Sequence, residues 1–369
     1  MPLKIVRWIE FHIGDALCVL LGFLCKPRPL PREVRSLLVV RDWSLGESIL
    51  ALPMIRAYRR RFPQARIWVL VAPSSREVFR GHPLVDDIVD FNLPGLFRLF
   101  FRRFDLAVDA MPYFRHSALV ARFTSRFVAG FDTFRRRSRL YDLEIPFDDR
   151  IHMTHMLDRL YAYGPLTSRR LVPLPRASLR DDDLLRALEG FPLRIGMHLG
   201  TEETAPWRAW SFERFQALVG MALETWPRAF IFLTGTENER EINEKMLERM
   251  GRERMTSLVG RCDLHQLAEL LARLDLFVSS DTGPMHAAAA MGCPTVGLFG
   301  PNTPERFAPF PPWRHKALYN PPPGYQPTIN VHKGEFGSEG DRSRGVIDRI
   351  SPEEVLRAMT ELLEERGKA

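Results

Sequence analysis

Short apolar, β-branched runs alternate with helical periodicity, and the rhythm occurs twice along the chain. Ser36-Leu37-Leu38-Val39-Val40 is the first such run. Its apolar residues are continuous rather than alternating, the mark of a strand buried on both faces of a parallel sheet. A polar, glycine-containing turn follows at Asp42–Glu47. Ile49, Leu52, Ile55 and Tyr58 then share one helical face, which leaves Arg56, Arg59, Arg60 and Arg61 outside it, and Pro63 stops the helix. Further strands are expected at Ile67–Val71, Asp86–Phe91 and Asp105–Asp109. Parallel strands need a helical crossover between them, so a chain written this way is constrained to an α/β fold.

The second half repeats the pattern. Strands are expected at Leu193–His198, Ala229–Leu233, Thr256–Val259, Leu276–Ser279 and Pro294–Phe299. Helices are expected at Ser211–Glu224, Glu237–Met250, Asp263–Arg273 and Gly283–Met291, and a Pro-dense loop at Pro301–Pro327. Ser351-Pro352-Glu353-Glu354 opens a last helix, with Ser351 as cap and Pro352 in the first turn. The 369 residues suit two doubly wound, Rossmann-like domains facing a cleft. The expected division is an N-terminal amphipathic helix and Pro-rich linker at 1–32, a first domain at 33–180, a second at 181–350 and a closing helix at 351–369. Pro165, Pro173 and Pro175 mark the crossing, and the closing helix has the option of returning to the first domain.

Charge is unevenly spread. The whole chain carries +7, but residues 1–180 hold 30 Lys/Arg against 17 Asp/Glu, a net of +13, and the remainder is at −6. The basic half suits an acidic partner such as a membrane surface or a phosphorylated glycolipid, or it is simply a solvated arginine-rich surface. No nucleic-acid-binding motif accompanies the charge. Cys18, Cys25, Cys262 and Cys293 form neither a Cys-x-x-Cys pair nor a disulfide framework, which suits a reducing compartment. The 10 histidines show no metal-ligand spacing. The apolar run Ala16–Cys25 is too short to span a bilayer and lacks the flanks of a secretory signal. Residues 3–25 read as an amphipathic helix that either lies on a membrane or packs on the first domain.

The segment richest in chemistry is Ser280-Asp281-Thr282-Gly283-Pro284-Met285-His286, followed by four alanines. It comes after a buried strand and opens a helix. Pro284 suits the first turn because its missing N–H would have no partner there, and Gly283 permits a tight entry. The unpaired amides and the positive end of the helix dipole then make a site for a diphosphate. An ordinary strand–turn–helix with a packed His286 is the plainer alternative.

This block, together with Val296-Gly297-Leu298-Phe299-Gly300-Pro301-Asn302-Thr303-Pro304 and the upstream Asp263–Asp275 pattern, resembles the lipopolysaccharide heptosyltransferases, glycosyltransferase family nine. Met197-His198-Leu199-Gly200-Thr201 and Trp207-Arg208-Ala209-Trp210 are similar to that family's first C-terminal strand and its Lys-x-Trp segment, with Arg208 in place of lysine. Arg41-Asp42-Trp43-Ser44-Leu45-Gly46-Glu47 resembles its N-terminal Ser-x-Gly-Asp loop, with Glu47 in place of aspartate.

The resemblance implies a GT-B-like, inverting, metal-independent glycosyltransferase without a cofactor. Its donor would be a nucleotide-diphosphate sugar, ADP-linked heptose first among them, and its acceptor an anionic glycolipid of the lipopolysaccharide core. It implies a cytoplasmic chain peripheral to the inner membrane face. Glu47 is the expected base, with Asp42 as fallback, and Arg208 the cation facing the leaving diphosphate. Thr201, Glu239, Asp281, Thr282, Gly283, Pro284, Met285 and His286 are the expected donor-binding residues. Glu239 would accept from ribose hydroxyls or simply open a solvated helix. The two departures, Glu47 and Arg208, keep open a non-catalytic relative that binds nucleotide sugar or glycolipid in an envelope-assembly complex. A dinucleotide oxidoreductase is disfavoured because the loop after Val40 has only Gly46, not three spaced glycines.

Overall fold

The computed structural model describes residues 3–42, 44–133, 135–200, 206–325, 327 and 345–367. Its contacts divide into two compact units, residues 1–168 and 169–369. The division falls earlier than the expected boundary at 180/181, because the connecting segment is fastened to the second unit. Ala177 N donates to His265 O at 3.1 Å, and Arg261 holds Asp181, the cap of the following helix, at 2.6 Å.

The first unit is built on a wholly parallel sheet. Its strands are β1 (Ser36–Arg41), β2 (Arg66–Val71), β3 (Asp87–Asp90), β4 (Phe104–Asp109), β5 (Ser125–Asp132) and β6 (Leu143–Pro146), in the order β3-β2-β1-β4-β5-β6. Val39 pairs with Val69 on one side and Val108 on the other. All of β1 after Ser36 is buried, as its unbroken apolar run requires. The sequence reading missed β5 and β6. β5 follows the helix Arg115–Thr124 without an intervening turn residue, and β6 is a half-exposed edge strand.

The second unit repeats the arrangement with β7 (Leu193–His198), β8 (Ala229–Thr234), β9 (Met255–Ser257), β10 (Leu276–Ser280), β11 (Thr295–Phe299) and β12 (Lys316–Tyr319), in the order β12-β11-β10-β7-β8-β9. Counted within each unit, both sheets have the doubly wound order 3-2-1-4-5-6. β12 lies inside the expected Pro-dense loop. As an edge strand it needs no continuous apolar run.

The closing helix, Pro352–Glu364, packs into the core of the second unit. Val355, Met359 and Leu363 are fully buried in the second core with Trp210 and Phe215, and Trp210 Nε1 donates to Ile350 O at 3.1 Å. Its amphipathic face found a partner in the unit it follows in sequence.

At the other end, the helix Leu3–Leu24 packs on the first unit. Cys18 is wholly buried in that core, and added Cβ atoms at Gly14 and Gly22 would lie 2.9 and 2.7 Å from the Cβ atoms of Arg115 and Arg139. These two glycines let the helix backbone lie flat on its neighbours. The Pro-rich linker is also tied down: Arg28 N donates to Asp142 and Tyr163 to Pro31 O. No described helix is long and apolar enough to cross a membrane.

Candidate functional site

In a doubly wound sheet, ligands gather at the carboxyl ends of strands where the order reverses. In the first unit that point lies between β1 and β4, and in the second between β7 and β10. Among the described residues, Glu47 follows β1 in the first unit, and the Asp281–His286 turn follows β10 in the second.

In the second unit β10 runs into Asp281 and Thr282 and then the helix Gly283–Ala290. Thr282 stands at the cap position with extended backbone, and its side chain does not cap the helix. Its hydroxyl lies instead 2.8 Å from Ser279 Oγ. Thr282, Gly283 and Pro284 are half-exposed, whereas the Met285 side chain is buried and belongs to the core. Met285 can therefore offer a ligand its backbone alone. Asp281 is held by Asn302 Nδ2, which donates to its Oδ2. His286 is buried with Nε2 3.8 Å from Asp281 Oδ1, an arrangement that steadies the turn. Arg208 Nη1 approaches the same carboxylate at 3.8 Å from the single turn Pro206–Arg208. Thr201 lies outside the described residues.

Glu239 reaches the same strand ends from β8. Its Oε2 accepts from Thr236 N at 2.7 Å and Thr236 Oγ1 at 3.0 Å, a capping box that fixes the start of its helix. Its Oε1 faces His198 Nε2 at 3.2 Å, and His198 Nδ1 lies 3.0 Å from Thr234 Oγ1. Burial raises the Glu239 pKa, but the His198 hydrogen bond and charge outweigh it and hold the carboxyl below its ordinary value. Gly200 leaves room for this carboxylate, since an added Cβ would sit 2.0 Å from Glu239 Oε1. His198 and Asn302 were not among the expected site residues. His198 had one legible signal, a polar residue at the carboxyl end of a buried strand.

In the first unit, Ser44 caps the helix Leu45–Arg61 by accepting from Glu47 N at 3.4 Å. Glu47 Oε2 accepts from Arg41 Nη2 at the end of β1, and Arg41 Nη1 donates to Ala110 O just beyond β4. A fully buried guanidinium thus ties a carboxylate, whose side chain is 16% exposed, to both strands of the switch point. Asp42 is engaged differently, with Oδ2 against His116 Nε2, while His116 Nδ1 faces Glu10 Oε2 of the N-terminal helix at 3.2 Å. Burial opposes a charge on His116, yet the bonds to Asp42 and Glu10 carry its pKa up to about 10. Each candidate base is thus paired with a cation, Asp42 with His116 and Glu47 with Arg41, and Glu47 is the more exposed of the two at 16% against 3%. Beside them, Asp109 accepts from Arg137, Tyr141 and Ser117 at 2.7 to 3.0 Å, a buried network that braces β4. Among the described residues, no group of three or more His, Cys, Asp or Glu gathers as metal ligands would.

The chain has relatives in sequence and in fold among known proteins. Lipopolysaccharide heptosyltransferase 2 of Salmonella typhimurium is 25% identical over 360 residues, covering 90% of this chain and 99% of that protein. The glycosyl transferase family 9 structure from Veillonella parvula superposes with a TM-score of 0.72 at 19% identity, covering 91% of this chain and 99% of that one. The ADP-heptose heptosyltransferase II structure from Escherichia coli superposes at 0.66 and 20% identity, covering 90% and 99%. These structures share the GT-B-like pair of Rossmann-like sheets expected from the sequence. The pattern of glycosyltransferase family 9 (heptosyltransferase) matches residues 97–335, a stretch that begins downstream of Glu47 and takes in the whole Asp281–His286 turn. With well over half its length in that match, the chain belongs to glycosyltransferase family 9, the heptosyltransferase family.

Proposed function

We propose that the protein transfers heptose, with inversion, from an ADP-linked donor to a lipopolysaccharide-core or related anionic glycolipid acceptor. The observation that carries this reading is the helix Gly283–Ala290, which opens without a side-chain cap at the β7/β10 switch point, beside Asp281, Arg208 and Glu239. A helix terminus of this kind binds a diphosphate through main-chain amides. Arg208 adds the cation that takes up charge on the leaving group, and Glu239 accepts from the donor's ribose. The charge work in this route falls to a helix terminus and an arginine, with no metal.

Glu47 removes the proton of the acceptor hydroxyl. The oxygen attacks the anomeric carbon, the bond from that carbon to the diphosphate breaks, and the nucleoside diphosphate leaves with the electron pair. Attack opposite the leaving group inverts the centre. The basic first unit receives the acceptor's phosphates, and the N-terminal helix keeps the protein at the cytoplasmic face of a membrane.

The test pairs donor binding with turnover. ADP-heptose should raise the melting temperature of the parent and of Glu47→Gln alike, because it stabilises only the folded state. Transfer should fall about a hundredfold or more in the variant, the usual worth of a general base. Unchanged turnover in Glu47→Gln would remove Glu47 as base. Binding without turnover in the parent would make the protein a nucleotide-sugar binder rather than a transferase.

A further inference from the structure

Among the described residues, the large apolar side chains left exposed are not scattered. Ten of the twelve lie on one layer of the first unit, formed by the helices Leu3–Leu24 and Arg115–Thr124 and by Leu93–Phe100 with its next residue. The inner sides of these helices share one core: Cys18, Leu99, Ala118 and Ala121 pack together over Leu38, Leu70 and Ala107 of the sheet. Their outer sides are what remains open. Phe97 and Phe101 are 67% and 74% exposed and touch each other, ring centroids 4.7 Å apart. Phe100 meets Phe123 of the neighbouring helix at 6.3 Å. Phe23 and Leu24, at the end of the N-terminal helix, are 75% and 76% exposed. Single exposed apolar residues are ordinary, but large apolar side chains gathered on three adjacent helices, with aromatic pairs on two of them, mark a surface that meets something apolar.

The charge pattern says what. Residues 16–32 and 91–104 contain no Asp or Glu, and Lys26, Arg28, Arg32, Arg98, Arg102 and Arg103 in them are all exposed. Acidic groups on the same helices are occupied: Asp15 by Arg115 and Arg136, and Glu10 by His116. Arg98 is paired with Asp87 at 2.9 Å. The aromatic rings flanked by exposed cations, Arg102 and Arg103 among them, suit the boundary of an anionic bilayer, where rings sit at headgroup depth and arginines meet phosphates.

We propose that the whole outer face of this helical layer docks on an anionic lipid surface, with the Phe97–Phe101 and Phe100–Phe123 pairs as a second anchor beside the N-terminal helix. This extends the membrane reading of that helix given above and is independent of the transfer chemistry.

The experiment is flotation of the full chain with phosphatidylcholine vesicles, with and without phosphatidylglycerol. The parent should bind the anionic vesicles and lose binding as salt rises. Phe97→Ser with Phe101→Ser, Leu20→Ser with Phe23→Ser, and Arg102→Glu with Arg103→Glu should each lower the partition coefficient by about tenfold. All six residues are exposed, so melting temperature and the ADP-heptose thermal shift should be kept. If the helix variant loses binding while the Phe97/Phe101 variant binds like the parent, the second anchor is refuted and the helix reading stands. If the parent binds neither vesicle, both fall. A lipid-free dimer of the parent that the Phe97/Phe101 variant abolishes would assign the face to a second copy and overturn the proposal.

Discussion

Some candidate side chains are held by near neighbours in sequence, as Glu47 is by Arg41 and Thr282 by Ser279, and others by distant ones, as Glu239 is by His198, and that decides how much of the site could be read in advance. The Asp281–His286 turn was legible because its parts are contiguous: a strand end, a small residue, a proline in the first turn, an alanine helix. The His198–Glu239 pair was not, because it exists only once β7 and β8 lie side by side with Met197 opposite Leu233. The Asp42–His116–Glu10 chain likewise joins three separate segments. The His198 contact bears on the role of Glu239. A carboxylate held ionised and already anchored through Thr236 is a preorganised acceptor for ribose hydroxyls. Glu239→Ala should therefore weaken ADP-heptose binding about tenfold to a hundredfold, the worth of hydrogen bonds to a charged group, and leave kcat within a few-fold. Steady-state kinetics with the donor varied would show this as a rise in KM. A fall in kcat at unchanged KM would move Glu239 from donor binding to the chemical step. Arg208→Lys should keep most of the turnover lost in Arg208→Ala, because the developing charge needs a cation more than a fork.

At the scale of elements, the buried strands were read correctly where burial on both faces leaves an unbroken apolar run, as in β1, β8 and β10. The reading missed interior β5, which runs straight on from a helix, and two of the four edge strands. β6 and β12 sit at the ends of their sheets, where one side has no strand to satisfy and composition is released from the rule. The closing helix was placed correctly in sequence and left open in space, since an amphipathic face predicts burial without saying against what. Its attachment can be weighed. Met359 is fully buried in the second core, so Met359→Ala should cost about 2–4 kcal/mol in urea unfolding. Ser351 accepts from Glu354 N at 3.2 Å while Glu354 Oε2 accepts from Ser351 N at 2.7 Å. Ser351→Ala should cost about 1 kcal/mol through the same transition. If the Met359 variant merely frayed its terminus, with the unfolding midpoint unmoved, the helix would be an appendage rather than part of that core.

Across the whole molecule, two units with separate cores carry two histidines whose titrations act in opposite directions. His116, in the first unit, has its pKa raised from 6.5 to about 10 against the pull of burial, because Asp42 and Glu10 both bond its ring. The folded state then binds a proton that the unfolded chain releases. Its stabilisation is complete below pH 6.5 and is lost as pH rises through about 10. His315, in the second unit, has its pKa lowered to about 3 by burial first and by repulsion from Arg314 second, and its Nδ1 accepts from Thr295 N at 3.2 Å. Here the unfolded chain binds the extra proton. The stabilisation is present above pH 6.5 and is lost as pH falls toward 3. Each limb should slope by at most about 1.4 kcal/mol per pH unit. His116→Gln should lower stability near neutral pH by a few kcal/mol, on the order of an uncompensated buried pair, and flatten the alkaline limb alone. His315→Asn, whose amide oxygen can still accept from Thr295, should flatten the acid limb alone. The two residues lie in different units, so the double variant should show the sum of both effects. Urea unfolding across the pH range would measure this. An alkaline limb that survives His116→Gln would mean that the clamp between Asp42 and Glu10 does not hold a charged imidazole.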